Sequence, residues 1–214
     1  MTKKLSGLYA ITNENLMPEK FFLSMAETAL ASGVSVLQYR DKSTDTNKRL
    51  NQASALKKLC DQYNAFFIIN DDVKLAKQVD ADGIHIGKND LSLQETKEQL
   101  GNNKIIGVSC YNQLNLATDA IKNGASYIAF GSFFGSSIKP DAPYASSNLI
   151  STIKQQHNIP VCCIGGITTK NHYPLLEAGA DMLAVISDIF SQTSHKDIAC
   201  RCSQYEQAFK TLTT

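Results

Sequence analysis

Eight short apolar runs rich in β-branched residues recur along the chain: Leu8 to Ile11, Val36 to Tyr39, Phe66 to Ile69, Gly83 to Ile86, Ile105 to Val108, Tyr127 to Phe130, Val161 to Ile164 and Met182 to Ile186. Runs this short, and apolar nearly throughout, suit strands buried on both faces, which arise where helices cover a parallel sheet. The segments between them carry helix signals. Pro18 stands where a first helical turn begins, and FFLSMAETAL follows with its apolar residues on one face until Gly33 ends it. Ser92 and Glu95 have capping-box spacing in a segment closed by Gly101, Asn112 to Asn123 closes at Gly124, and Asn171 to Ala178 closes at Gly179. Seven connections of this kind, with the tail after Ser187 as an eighth, fit a small α/β (β/α)8 TIM barrel in one domain, residues 1–214. A doubly wound open sheet is the other arrangement that the alternation allows.

Charge narrows the function. With 21 Lys+Arg against 20 Asp+Glu, the net charge of +1 lacks the basic excess of a nucleic-acid binder, and a 43% hydrophobic content excludes a disordered regulator. The opening MTKKLSGLYAITN is too short in apolar residues for a signal peptide, and no later run approaches the roughly 18 needed to span a bilayer. A cytoplasmic protein with neither nucleic-acid nor membrane partners is expected. Cysteines at 60, 110, 162, 163, 200 and 202 form no CxxC pair, so reduced, structurally ordinary thiols are expected.

In a barrel, whatever follows each apolar run lies on the carboxyl-terminal rim, where this fold builds its active sites. The endings here are Thr12; Arg40 and Lys42, with Gln38 just inside; Asn70 and Asp71; His85, Gly87 and Asp90; Ser109; Gly131 with the loop SFFGSSIKP; Gly165 and Gly166; and Ser187. Each group also has a plainer reading. Arg40 and Lys42 could be a solvated strand end, Asp71 and Asp72 could cap a helix starting near Val73, and Asp90 could serve a turn. His85, inside GIHIG, reads as a satisfied core histidine.

Taken together, two carboxylates on adjacent strand ends suit Mg²⁺, which binds one or two protein carboxylates plus phosphate oxygens. An arginine, two lysines and such a cation suit a diphosphate. The glycine turn and the Ile186, Ser187 end offer backbone N–H groups where this fold often holds a single phosphate. Two phosphorylated groups on one rim imply a transfer between two phosphorylated small molecules.

The ordered set GLYAIT, LQYRDK, FIINDD, DGIHIGKNDL, IIGVS, YIAFGS with SSIKP, PVCCIGGIT and MLAVIS resembles the thiamine phosphate synthase family over essentially the whole chain. Pieces such as IGGI are common to many phosphate-binding barrels, whereas QxRxK followed by ND and HxGxxD is specific. The resemblance implies a (β/α)8 transferase that joins hydroxymethylpyrimidine diphosphate to a thiazole phosphate, releasing pyrophosphate, with a carbocation captured by the thiazole nitrogen. It implies that Arg40, Lys42, Asn70 and Lys139 hold the diphosphate and that Asp71 and Asp90 hold Mg²⁺. Gln38, Ser109 and Ser136 would line the pyrimidine and diphosphate site, and Gly166, Ile186 and Ser187 the thiazole phosphate site, with Arg40, Lys42, Lys139 and Ser109 carrying the catalysis. Family members often form dimers, so a homodimer is expected.

The sixth-strand loop departs from the family's usual GPxFPTxTK or GPxFPTxSK: Ser136 replaces the first Thr and Ile138 the second hydroxyl residue. Tyr111 stands where the family commonly has His. That residue argues against a related thiazole tautomerase, which uses the histidine, while Ile138 leaves open a barrel that binds phosphates without turnover.

Overall fold

A computed structural model describes residues 3–135 and 144–212. Each apolar run forms a strand: β1 (Gly7–Ile11), β2 (Val34–Tyr39), β3 (Phe66–Asn70), β4 (Gly83–Ile86), β5 (Ile105–Tyr111), β6 (Tyr127–Gly131), β7 (Val161–Ile164) and β8 (Met182–Val185). The strands pair in parallel in sequence order, and β1 also pairs with β8, closing an eight-stranded barrel. The open sheet is thereby excluded. A 3₁₀ turn (Glu19–Phe21) leads into α1 (Phe22–Ala31), followed by α2 (Thr46–Gln62), α3 (Val73–Gln78), α4 (Leu93–Leu100), α5 (Leu114–Lys122), α6 (Asn148–Gln156), α7 (Tyr173–Glu177), α8 (Ser187–Phe190) and α9 (His195–Leu212). Among the described residues no helix is long and apolar enough to cross a membrane.

Four helix returns share one device. Asn64, Asp80, Gly124 and Gly179 have left-handed φ, and the alanine after each donates its N–H to the carbonyl five residues back, the long bond of a Schellman closure. After three of these alanines stand Asp82, Ser126 and Asp181, whose side chains accept the N–H of Phe67, Ile106 and Val161 on the preceding strand at 2.8, 3.0 and 2.7 Å. The same three residues donate their own N–H to carbonyls of those strands. Strand entry at the bottom of the barrel is thus fixed by hydrogen bonds that would otherwise be left unmade at the sheet margin.

Two apolar layers result. Outward-facing residues such as Leu37, Phe67, Phe130 and Leu183 pack under the helices, and Tyr9, Val36, Ile68, Tyr127, Cys162 and Met182 fill the barrel interior. Fully burying one such side chain contributes about 1.5–3 kcal/mol. All six cysteines are free and only Cys200 is exposed; burial pushes the Cys60, Cys110 and Cys202 thiols up to about 12.

Two helix starts differ from the sequence reading. The seventh helix begins at Tyr173 rather than Asn171, because the Asn171 amide knits the preceding turn, accepting from Thr168 N–H at 2.8 Å and donating to the Gly166 carbonyl at 2.9 Å. The fifth begins at Leu114 rather than Asn112, because β5 runs on through an irregularity to Tyr111, which has a left-handed φ of 53°.

Candidate active site

The end of β2 alternates sharply. Gln38 is buried inside the barrel, and Arg40 follows on the same side, its N–H donating to Thr12 Oγ1 at 2.9 Å. Asp41 turns the other way, into the protein, where it pairs with Lys48 at 2.8 Å and accepts from Ser43 N–H at 2.6 Å. Burial alone would raise its pKa, but the bonds from Lys48 and Ser43 prevail and hold its carboxyl below the usual range. This buried anchor fixes the loop that carries Arg40 and Lys42.

Lys42 pairs with Asp71 Oδ2, and the Asn70 side chain donates to the same oxygen at 2.6 Å. Asp71 has a left-handed φ of 53°, and its N–H donates to the His85 carbonyl at 3.0 Å, so it is tied to β4 rather than to the following helix. The capping role falls to Asp72, which accepts from Leu75 N–H at 2.9 Å and pairs with Arg49 at 2.9 Å. Asp90 accepts from Gly87 N–H at 2.7 Å, and the exposed Tyr111 hydroxyl accepts from Lys88 N–H at 3.2 Å.

A cavity of about 380 Å³ is lined by Gln38, Arg40, Asn70, His85, Ser109 and Ile186 among others, a size suited to a small ligand, while Lys42, Asp71 and Asp90 lie outside this lining. A second cavity of about 590 Å³ shares Ser109 and reaches Asp90 and Tyr111. Below the first runs a polar series that the sequence reading missed: Gln38 Nε2 donates to Tyr9 Oη at 2.8 Å, Tyr9 and Tyr127 hydroxyls are 2.9 Å apart, and His85 joins Tyr127 Oη to Ser109 Oγ at 2.9 and 2.8 Å. His85 is indeed satisfied at both ring nitrogens, as a core histidine should be, yet it also lines the cavity. Burial pushes its pKa down to about 4, so the ring is neutral near pH 7.

On the opposite side, Gly165 and Gly166 form a turn with positive φ. A Cβ on Gly166 would meet the Phe134 carbonyl oxygen at 2.7 Å, and Phe134 N–H donates to the Gly165 carbonyl at 3.0 Å, so the loop leaving β6 is stitched onto this turn. Ile186 precedes α8, and Ser187, exposed, is its first residue, whose N–H has no partner within the helix. Asp188 accepts from Tyr205 Oη at 2.7 Å and Thr169 N–H at 3.1 Å, tying this side to α9. Ser136, Ile138 and Lys139 lie outside the described residues.

No cluster of three or more His, Cys, Asp or Glu suited to a metal occurs among the described residues. Asp71 and Asp90 each use Oδ2 in the bonds above and, among the described residues, keep Oδ1 free of hydrogen bonds. Two carboxylates with spare oxygens fit a cation that takes its remaining ligands from water and substrate phosphates; they do not make a closed protein cage.

The family model described as thiamine monophosphate synthase matches residues 8–189. The thiamine-phosphate synthase of Acidithiobacillus ferrooxidans is 47% identical over 190 residues, 87% of this chain and 88% of that protein. That of Alcanivorax borkumensis is 45% identical over 208 residues, covering 97% and 96%. The solved thiamine phosphate pyrophosphorylase of Pyrococcus furiosus superposes with a TM-score of 0.88 at 31% identity, with 99% of each chain covered. A family match over most of the chain, near-half identity to two relatives covered to 88% and 96% and a shared closed barrel lead to one conclusion: the chain belongs to the thiamine monophosphate synthase family, transferases that form thiamine phosphate.

Proposed function

We propose that this chain joins hydroxymethylpyrimidine diphosphate to a thiazole phosphate, giving thiamine phosphate and pyrophosphate, with the diphosphate departing before the thiazole nitrogen attacks. The observation that carries the reading is the single cavity in which Gln38, Arg40, Asn70 and Ser109 meet Ile186 from the opposite side. One reactant's charged end would lie toward β2 to β4 and the other's phosphate toward β7 and β8.

In this reading Arg40, Lys42, Asn70 and Lys139 hold the diphosphate. Negative charge grows there as the carbon–oxygen bond breaks, so donors already in place lower the barrier without reorganising. Gln38, Ser109 and Ser136 orient the pyrimidine, and Gly166, Ile186 and Ser187 receive the thiazole phosphate through backbone N–H groups and a hydroxyl. Asp71 and Asp90 would hold Mg²⁺, which when bound supplies further positive charge to the leaving oxygens. Lys42 then has two partners to choose between, since an arriving diphosphate competes with Asp71 for its ammonium. The neutral His85 keeps a fixed positive charge away from the ring that becomes cationic. No general base is needed. The substrates are soluble small molecules, and the cytoplasm is the proposed setting.

Measuring pyrophosphate release tests this reading. Release should require both substrates and Mg²⁺ together; release from the pyrimidine diphosphate alone at the full rate, or none with both substrates present, would reject it.

A further inference from the structure

Five polar side chains run in series through the barrel interior, and with the Gln38 amide nitrogen turned toward Tyr9 their hydrogen atoms are satisfied in only one direction. Gln38 donates Nε2–H to Tyr9 Oη. Among the described residues the only other hydrogen-bond partner of the Tyr9 hydroxyl is Tyr127 Oη at 2.9 Å, so Tyr9 must donate to it or leave a buried O–H unpaired. The Tyr127 hydroxyl, having accepted from Tyr9, has its own hydrogen left for His85 Nδ1 at 2.9 Å. An Nδ1 that accepts leaves the neutral ring's hydrogen on Nε2, which faces Ser109 Oγ at 2.8 Å. The reverse direction would make Tyr9 Oη accept twice and strand its hydrogen.

We infer that Gln38, Tyr9 and Tyr127 form a positioning relay that holds His85 as its Nε2–H tautomer and so makes Ser109 accept from His85 and present its own hydroxyl hydrogen to the cavity. Ser109 has no other hydrogen-bond partner among the described residues to claim that hydrogen. The backbone is built for the relay. His85, Gly107 and Tyr127 stand level on β4, β5 and β6, and a Cβ on Gly107 would lie 2.0 Å from Tyr127 Cζ. The missing side chain lets the phenol cross over β5 and stack on the imidazole, with ring centroids 5.6 Å apart and planes at 25°. A hydroxyl fixed as a donor favours a ligand whose ring nitrogen carries a free lone pair, which a pyrimidine supplies. This last step rests on the pyrimidine site proposed above.

The test begins without substrate. Long-range ¹H–¹⁵N spectra of protein labelled at its four histidines should show one ring, absent in His85→Gln, as a pure Nε2–H tautomer at neutral pH. Tyr127→Phe should release that ring to a mixed or Nδ1–H form, and Tyr9→Phe, which leaves the Tyr127 hydroxyl free to turn, should do so in part. An Nδ1–H ring in the unaltered protein, or a tautomer unmoved in Tyr127→Phe, overturns the relay whatever the kinetics. With substrates, Tyr127→Phe should raise the KM for pyrimidine diphosphate about tenfold, the worth of one hydrogen bond, and leave the thiazole phosphate KM within about twofold. The double variant with Ser109→Ala should be no worse than Ser109→Ala alone. If the tautomer behaves as stated but Ser109→Ala leaves the pyrimidine diphosphate KM unchanged, the relay stands and the proposed pyrimidine site falls.

Discussion

Along β2, β3 and β4 the barrel mouth carries full charges on side chains, Arg40, Lys42, Asp71 and Asp90, whereas along β7 and β8 it offers a glycine turn and the first residue of a short helix. The charged side is also the braced side. Asp41 is buried against Lys48, Asp71 is held by both Lys42 and Asn70, and a tyrosine–histidine series lies beneath. On the other side, the candidate polar groups are the backbone of the Gly165–Gly166 turn and Ser187 at the start of α8. Such a division suits a reaction in which one phosphate group leaves and the other only anchors. Full counter-charges respond strongly to charge that appears during bond breaking, while backbone dipoles hold a phosphate without introducing ionic groups that must themselves be desolvated.

The division can be broken by experiment. Its largest expected consequence is metal dependence: a chelator should abolish turnover, and Asp71→Asn and Asp90→Asn should each raise the Mg²⁺ concentration needed for half activity. Full activity in the chelator would remove the carboxylates from the metal role. Next, Arg40→Ala or Lys139→Ala should lower kcat by roughly two to three orders of magnitude, the effect of losing about 3–4 kcal/mol of transition-state stabilisation. Ser187→Asp, on the uncharged side, should instead raise the KM for thiazole phosphate by about tenfold through like-charge repulsion, with the pyrimidine diphosphate KM little changed. Equal effects on the two substrates would erase the distinction between the sides.

Acid should weaken the braced side in particular. His85 titrates near 4 in the folded chain, below the ordinary value of 6.5, so between those limits the unfolded chain binds the extra proton. Folding stability therefore falls as pH drops through this window, by up to about 3 kcal/mol from His85 alone, and the loss levels off below it. Chemical denaturation at pH 7 and pH 4 should show a smaller pH-dependent loss in His85→Gln than in the unaltered chain. The smallest expected effect is that of Asp72→Asn. It keeps a good cap on α3 and loses only the partly exposed pair with Arg49, so stability should change by less than about 1 kcal/mol and the Mg²⁺ requirement not at all.

The strands were legible because a strand covered on both faces leaves a dense apolar run, and all eight runs became barrel strands. The capping box at Ser92 and Glu95 was legible for the same local reason. What escaped was the partnership of groups from different strands. Tyr9 and Tyr127 read as apolar members of LYAI and YIAF, since nothing in a four-residue run tells which tyrosine points inward or whether its hydroxyl finds a partner. Lys42 and Asp71 were assigned to different ligands, because their 29-residue separation gave no sign that they meet. The spacing of β5 held the one available clue: a glycine in IIGVS, between a histidine and a tyrosine that the closed barrel brings level.

That glycine also constrains how sequences related to this one can change. Any side chain at position 107 collides with the Tyr127 ring, so a lineage cannot acquire one there while keeping that ring stacked on His85. The permitted order of substitution loses the phenol first, and with it the donor to His85, before the empty space can be filled. Positions 107 and 127 therefore evolve as a ratchet: a chain that has filled the gap must reverse both steps, in the opposite order, before the relay can return.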